Sequence, residues 1–462
     1  MANTVPTNEN DSPESEKIGS RGHDDADDPD YDAVILGAGA AGLLAAISAA
    51  ERGGRVLVLE KNRRAGVKIL MSGGTRCNLT NARGLRRPEV VSGPIDPAYD
   101  RSQARGARSI QQAFGANGAF LGPALKAFSV ESTVALFEAE GVATKVEGNG
   151  KIFPVTDRAS DVLDALLRRL ERSGAELRCK CPARGVEARS AGGFDVLLPD
   201  SAGAVSARRV IVAVGGQSYP GCGTTGDGYA IARRFGHAIV PPRPALVPLR
   251  VAADWVPTLK GLTIPDAFAR VRIGPGPGPA LLERREAVLF AHFGLTGPAI
   301  LDVSRAVARH DGPETPELVL DFLPDLRPEA LDATLQAACR SGRRAVAGLL
   351  PSQIPRRLAD ALLTASGTPS DRMGPDLARD ERLRLIATLK GLRLPITGTL
   401  GFAKAEVTSG GVALDEIEPK TLESRLQPGL HFCGEVLDLD GLIGGYNFQA
   451  AWSTGWLAGM MV

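Results

Sequence analysis

Apolar and polar positions first organise the chain between Tyr31 and Asn81. Tyr31 to Leu36 is a short apolar run of the kind that makes a buried parallel strand. A glycine turn, an Ala/Leu-rich helix, a second apolar run from Arg55 to Leu59 and a polar glycine loop follow in that order. Val130 to Gly141 and Ser160 to Leu170 carry helical spacing, and in the second Val162, Leu163, Leu166, Leu167 and Leu170 form one core stripe ahead of a stop at Gly174. Glu176 to Glu187, Gly193 to Leu198 and Ala207 to Val214 alternate and turn like a three-stranded antiparallel piece. The last of these runs is apolar enough to rejoin the parallel sheet and ends at Gly215 and Gly216. Pro241 to Pro248 holds four prolines in eight residues, which no helix or central strand continues through, so it marks a boundary. Short strands with Pro/Gly turns run on to about Pro328, residues 329 to 390 turn helical, and sheet returns from Leu394 to Val407. The chain closes with a buried strand at Leu430 to Cys433 and a helix that opens at Gly444 to Asn447.

Gly37, Gly39 and Gly42, with Ala38, Ala40 and Ala41 between them, spell G-x-G-x-x-G at a strand-to-helix junction. Gly37 permits the tight turn, Gly39 lets backbone approach a pyrophosphate, and Gly42 lets the helix lie close to the strand. The phosphate then meets free N–H groups and the positive end of the helix dipole. Glu60 follows the second strand 18 positions after Gly42, with Lys61 beside it. That is close to the spacing of a carboxylate that bonds a ribose hydroxyl, and it favours an unphosphorylated ribose as in FAD or NAD. The competing reading, a membrane span over the 18 uncharged residues Ala33 to Ala50, is short, holds three turn glycines and is rich in alanine.

Three further stretches carry a resemblance. Gly66, Lys68, Ser72, Gly73, Gly74, Arg76, Cys77, Asn78, Thr80 and Asn81 form a loop dense in donors; Gln217 to Tyr229 is a second glycine loop; and Gly434-Glu435-Val-Leu-Asp leads to Gly444-Gly445-Tyr446-Asn447-Phe448-Gln449. With the first glycine turn, these motifs resemble the YhiN-like flavoproteins, a group of NAD(P)/FAD-dependent, aminoacetone-oxidase-like oxidoreductases. Thr75 departs from the glycine usual at its place. The resemblance implies an α/β fold of the two-dinucleotide type: a Rossmann-like FAD-binding domain with an inserted β-barrel-like domain and a small helical subdomain. It implies FAD as cofactor, Ala183 (or its neighbour Val186) offering backbone to the adenine, Gly215 near the pyrophosphate, Gly434 and Glu435 on the ribityl or phosphate side, and Asn447 and Phe448 at the ring. The second helix N-terminus suits reduced flavin, which carries negative charge near N1. Gln217 to Tyr229 is either a second nucleotide site, for NAD(P)H, or a wall of the substrate cavity, and its spacing, which is not G-x-G-x-x-G, favours the wall. His292, in the matched His-Phe-Gly-Leu-Thr-Gly-Pro stretch, is either a proton carrier at the flavin or a turn residue bonded to backbone.

Boundaries follow: an acidic disordered tail over 1–30, an FAD domain from 31–240 and 408–462, a β-rich insertion from 241–328 and 391–407, and helices over 329–390. The formal net charge of +1 hides an asymmetry, because the first 30 residues carry nine acids against Lys17 and Arg21. That segment lacks a basic start and an apolar stretch, so it is no secretory signal, and a cytoplasmic protein is expected. Six cysteines show no C-x-x-C spacing and five histidines no cluster, which argues against a disulfide framework and a metal. No basic run interleaves with aromatics, so a small organic substrate is expected and nucleic acid and membrane are not. The expected activity is hydride transfer between flavin and that substrate. NAD(P)H enters as transient donor in the reductase version and oxygen as acceptor in the oxidase version. A flavin-binding redox sensor or scaffold using Cys77 and Cys433 is the alternative; a third, an RNA-modifying flavoprotein, is disfavoured by the lack of a basic stripe. The catalytic acid or base and the oligomeric state are not legible.

Overall fold

The computed structural model describes residues 28–199, 203–274 and 279–462. The acidic tail up to residue 27 and most of the turn at 274–279 lie outside the described residues. The first strand, β1 (Tyr31–Leu36), leads through the glycine turn to α1 (Ala40–Ala50) and then β2 (Val56–Glu60). After α2 (Ala159–Ser173) come β3 (Glu176–Cys179), β4 (Gly185–Ala188), β5 (Phe194–Leu197) and β6 (Ala204–Val212). They form one sheet in the order β3-β2-β1-β6-β5-β4, with Leu430–Phe432 pairing parallel to β6. β1 is central and parallel to both neighbours, Val34 facing Leu57 on one side and Val210 on the other. A strand flanked and covered in this way is apolar where it is buried, from Ala33 to Leu36, which is why the run does not alternate.

Ala33 to Ala50 is therefore a strand, a turn and a helix rather than a span. Ten of the eleven residues of α1 are buried. Among the described residues no single helix is long and apolar enough to cross a membrane; one bent pair, Gly115–Ala127 with Val130–Ala139, passes by length and composition only. The C-terminal helix lies directly on α1, and a Cβ at its Gly455 or Gly459 would stand 2.2 Å from the carbonyl oxygen of Ala41 or Ala45. Small residues there let the two helices approach as closely as their backbones allow.

One expectation is corrected. The three runs between 176 and 214 do not make an antiparallel trio, because the first splits in two: β3 lies parallel to β2 at the sheet edge, and only β4, β5 and β6 form the antiparallel meander. Lys180, at φ 56°, turns the chain, its N–H bonding Asn62 O while Cys181 N–H bonds Glu60 O at 2.9 Å. Pro182 then has no N–H with which to continue a ladder.

The proline-rich segment forms a strand after all, Ile239–Ala245, but only in a two-stranded antiparallel ribbon with Val407–Val412. The register slips between Val240 and Arg243, where Pro241 and Pro242 have no N–H to give. Between the two arms of this ribbon the chain builds a closed six-stranded barrel from 249–251, 294–296, 282–291, 263–273, 316–321 and 392–399. Three helices, Pro328–Arg340, Arg356–Ala365 and Arg379–Gly391, share one apolar core with it through Leu331, Leu358 and Leu385 against Leu318 and Leu320.

A further helix of the insertion, α3 (Pro298–Ala308), fastens barrel to sheet domain. Its Asp302 accepts from Ile443 N–H (2.7 Å) and Arg284 Nε (2.9 Å). Its Arg305 donates from Nε to Asp440 Oδ2 and from Nη2 to Asp440 O, both at 2.6 Å. The loop so held, 438–445, runs straight into α4 (Tyr446–Met460).

Candidate cofactor and substrate site

A cavity of about 560 Å³ opens beyond the carboxyl ends of β1, β2 and β6, where Leu36, Leu59, Ala213 and Gly434 line it. This is where open α/β sheets bind ligands, and the volume falls within the usual range of ligand pockets. Of the residues the sequence nominated, Gly37, Ala38, Gly39, Ala40, Ala41, Glu60, Lys61, Lys68, Ser72, Gly73, Gly74, Arg76, Asn78, Ala183, Gly215, Gly434, Glu435, Asn447 and Phe448 all line it. Gly42, Cys77 and the second-choice Val186 do not.

The three turn glycines separate by geometry. Gly37 has φ 95°, and a Cβ there would stand 2.8 Å from Ala213 O. A Cβ at Gly42 would stand 1.9 Å from Gly37 O, so Gly42 lies beneath the turn and serves helix-to-strand packing. At Gly39 a Cβ would meet no protein atom within 4 Å and would project into the cavity. Gly39 caps α1 without a side-chain bond, leaving first-turn N–H groups for an anion. Glu60, only 7% exposed, accepts from Ala38 N–H (2.9 Å) and Asn62 N–H (2.8 Å). Each carboxylate oxygen has a second lone pair, so the group keeps acceptor capacity toward a ribose.

Along the middle of the cavity Lys68 Nζ lies between Ser218 Oγ (2.5 Å) and Glu435 Oε2 (2.6 Å), and Thr408 N–H bonds the other Glu435 oxygen at 2.9 Å. Gly73, Gly74 and Thr75 are three successive left-handed residues, at φ 56°, 68° and 70°. Thr75 thus keeps the conformation a glycine would adopt, so the loop path is unchanged at a cost of about 1–2 kcal/mol. Arg76 pairs with Glu147 and with Asp157 (2.8 Å) and lies over the Phe153 ring at 3.9 Å. Asn78, with its amide oxygen toward Gly445 N–H and its nitrogen toward Thr80 O, both at 2.9 Å, ties this loop to the second helix junction.

There Gly445, at φ 91°, caps α4, and a Cβ on it would stand 2.5 Å from Thr80 O. Asn447 spends its amide on the preceding loop, accepting from Gly441 N–H (2.8 Å) and donating to Gly441 O (3.1 Å). Phe448 stacks on Trp452 with centroids 5.3 Å apart. Two helix N-termini from opposite ends of the chain therefore face one cavity.

Cys77 is corrected, and of the two readings of His292 the structure favours the turn. Cys77 is fully buried, and burial pushes its thiol up to about 12 despite a bond from Ser72. Buried Cys433 is pushed higher still and is likewise absent from the wall. Neither faces the cavity, and burial disfavours the thiolate of each. His292 stands exposed at the tip of a barrel hairpin against Phe293, away from the cavity, so it is not its proton carrier. Tyr219, Cys222, Gly223, Thr224 and Asp227 of the second glycine loop do line it. Sequence reasoning missed Glu406, whose one signal is a lone acid ahead of Val407–Val412, a strand buried at every position.

These residues fit an FAD: an open glycine cradle at one helix N-terminus, a buried carboxylate at the ribose position, and a second helix N-terminus beside an aromatic stack. Comparison with known proteins agrees. The profile of the HI0933-like protein Rossmann domain matches residues 31–93 and 102–461. The chain is 32% identical over 430 residues to the ribosomal RNA dihydrouridine synthase of Escherichia coli K12, covering 92% of this chain and 96% of that one. It is 33% identical over 437 residues to the 3-dehydro-bile acid delta(4,6)-reductase of Clostridium scindens, covering 92% and 97%. The 3-ketosteroid-delta4-(5alpha)-dehydrogenase of Rhodococcus jostii RHA1 shares the fold, with a TM-score of 0.50 at 15% identity over 96% of this chain and 99% of that one. The chain belongs to the HI0933-like Rossmann flavoprotein family, and its chemistry is FAD-dependent oxidoreduction.

Proposed function

We propose that the protein is a reductase that saturates a carbon–carbon double bond conjugated to a carbonyl, using NAD(P)H as transient electron donor. The names of the two relatives support this, because making dihydrouridine and reducing a 3-oxo bile acid at its 4,6 positions both add two hydrogens across such a bond. The carrying observation is the continuity of one cavity from the Gly39 cradle to a wall bearing Glu406 and Tyr219, outside both helix junctions. Bound there, FAD would supply the hydride and its two electrons.

The chain's own residues do the rest. The N–H groups of α1 and the Glu60 carboxylate hold the dinucleotide, and Lys68, fixed by Ser218 and Glu435, sets the charge along its middle. The ends of the ribbon that carries the barrel, at Leu246, Glu406 and Val407, wall the cavity on one side. The substrate is read as a small molecule. Of the four cavity-lining cations, Lys61 pairs with Asp227, Lys68 with Glu435, and Arg76 with Glu147 and Asp157; only Lys151 lacks a carboxylate partner among the described residues. Cations neutralised in this way offer little to a phosphate backbone.

Anaerobic mixing of holoprotein with NADH or NADPH is expected to bleach the flavin absorbance. Adding an unsaturated oxo-steroid, cyclohexenone or uridine should then restore the colour and yield the dihydro product by mass spectrometry. No bleaching, or recovery of colour only in air, would contradict the reading. Turnover of a uridine-containing ribosomal RNA fragment but of none of the small acceptors would replace the small substrate with RNA.

A further inference from the structure

One wall of the cavity carries two proton-bearing side chains that no helix junction supplies. Glu406 and Tyr219 come from distant segments and line it together. Backbone joins the segments: Tyr219 N–H bonds Phe402 O at 3.0 Å, and Glu406 N–H bonds Leu246 O at 3.1 Å. Tyr219 is held at φ 55°, a left-handed conformation that a bulky residue keeps only where its surroundings fix it. The main chain is thus set in place there, and the phenol lies within electrostatic reach of Glu406.

The two nearby carboxylates differ in their partners. Glu435 is saturated by Lys68, Ser218 and Thr408. The Glu406 carboxylate takes no hydrogen bond from any described residue and opens to the cavity. The Glu406 side chain is exposed to the open cavity, so water there tempers the desolvation by surrounding protein that raises its carboxyl above the usual range; Lys68, from the Val67–Met71 helix, opposes the rise, and Glu435 adds to it. Burial raises the Tyr219 phenol too, and the Glu406 charge adds to that. Lys68, Glu435 and Tyr219 are the charged and titratable groups that face it.

We propose that Glu406 is the catalytic acid of this cavity, giving its proton to the carbon beside the carbonyl of a conjugated substrate. The inference rests on the reaction class proposed above and names the residue that completes it. Hydride added at the far carbon of the double bond displaces that bond's electron pair toward the carbonyl. The pair then forms a new C–H bond as the Glu406 O–H bond breaks. The hydride and its two electrons are those of the cofactor, reduced in turn by a nicotinamide donor, and the carboxylate left behind regains a proton from water in the cavity.

Glu406→Gln tests this. The variant is expected to bind FAD and to be bleached by NADH or NADPH as the native protein is. Its transfer to cyclohexenone, an unsaturated oxo-steroid or uridine should fall by about 10²–10⁴-fold. Only the protonated carboxyl donates, so the native transfer rate declines as pH rises through the raised value; E406Q lacks that limb and Y219F keeps it. Independently of turnover, the infrared spectrum of the native protein should hold a protonated-carboxyl band that titrates above the usual carboxylate range and is missing in E406Q. Transfer by E406Q at the native rate, or an unchanged band, would overturn the assignment. Native protein that shows the band yet reduces none of the three acceptors would instead overturn the reaction class, and with it the proton's destination.

Discussion

Gly39→Val is expected to give folded, colourless protein. Gly39 sits at φ −85° and ψ −167°, extended backbone that valine adopts without strain, and no protein atom lies within 4 Å of where its Cβ would be. The new side chain therefore meets only the volume a pyrophosphate needs. Loss of two charge-assisted bonds to that group costs about 3–6 kcal/mol, which is on the order of 10²–10⁴ in Kd. Gly42→Val gives the contrast, because its Cβ would drive into Gly37 O and break the turn itself. Flavin absorbance and circular dichroism of the two variants separate the cases. A yellow Gly39→Val protein with native FAD affinity would remove the phosphate from this turn.

The second large effect falls far from the chemistry. Asp440 is 1% exposed and accepts bonds from Arg305 of α3 and from Arg309, the residue that caps its C-terminus; Arg305 is itself buried. Arg305→Met leaves a buried carboxylate with one half-exposed cation, Arg309, and the Ser409 hydroxyl, and breaking a buried pair from one side costs about 3–5 kcal/mol. The loss should appear as a lowered unfolding midpoint. It should also weaken FAD binding, since Asp440 anchors the loop that ends at the Gly445 cap. Arg305→Lys recovers part of the stability at most, because an ammonium lacks the fork that reaches both Asp440 Oδ2 and its carbonyl. An unchanged midpoint in the methionine variant would mean that α3 does not fasten the barrel.

Much of this site could be read from the chain because its parts are local. A buried parallel strand, three glycines at fixed offsets and an acid after the next strand are all legible within thirty residues, each constrained by backbone geometry. The same holds for the second junction, where Gly444 and Gly445 precede a helix. Side-chain direction is not local in this sense. Cys77 belongs to the same loop as Ser72, Arg76 and Asn78, yet it turns inward at φ 58° while they face the cavity. The edge strand β3 was misread because period-two alternation looks the same in a meander and at a parallel edge; the left-handed turn at Lys180 decides between them. Glu406 was invisible because its meaning comes from the ribbon that returns the chain from the barrel to the flavin side. The two readings of His292 stay open in the sequence because a motif shows that a residue is constrained but not which way it faces.

The central claim is that two helix N-termini, one from each end of the described chain, serve a single FAD. Hydrogen exchange followed by mass spectrometry, comparing flavin-free protein with protein reloaded with FAD, tests it directly. The account predicts that amides at 38–42 and at 445–449 gain protection together, with half-saturation at the same FAD concentration. Protection confined to the first junction, with 445–449 exchanging as before, would contradict it.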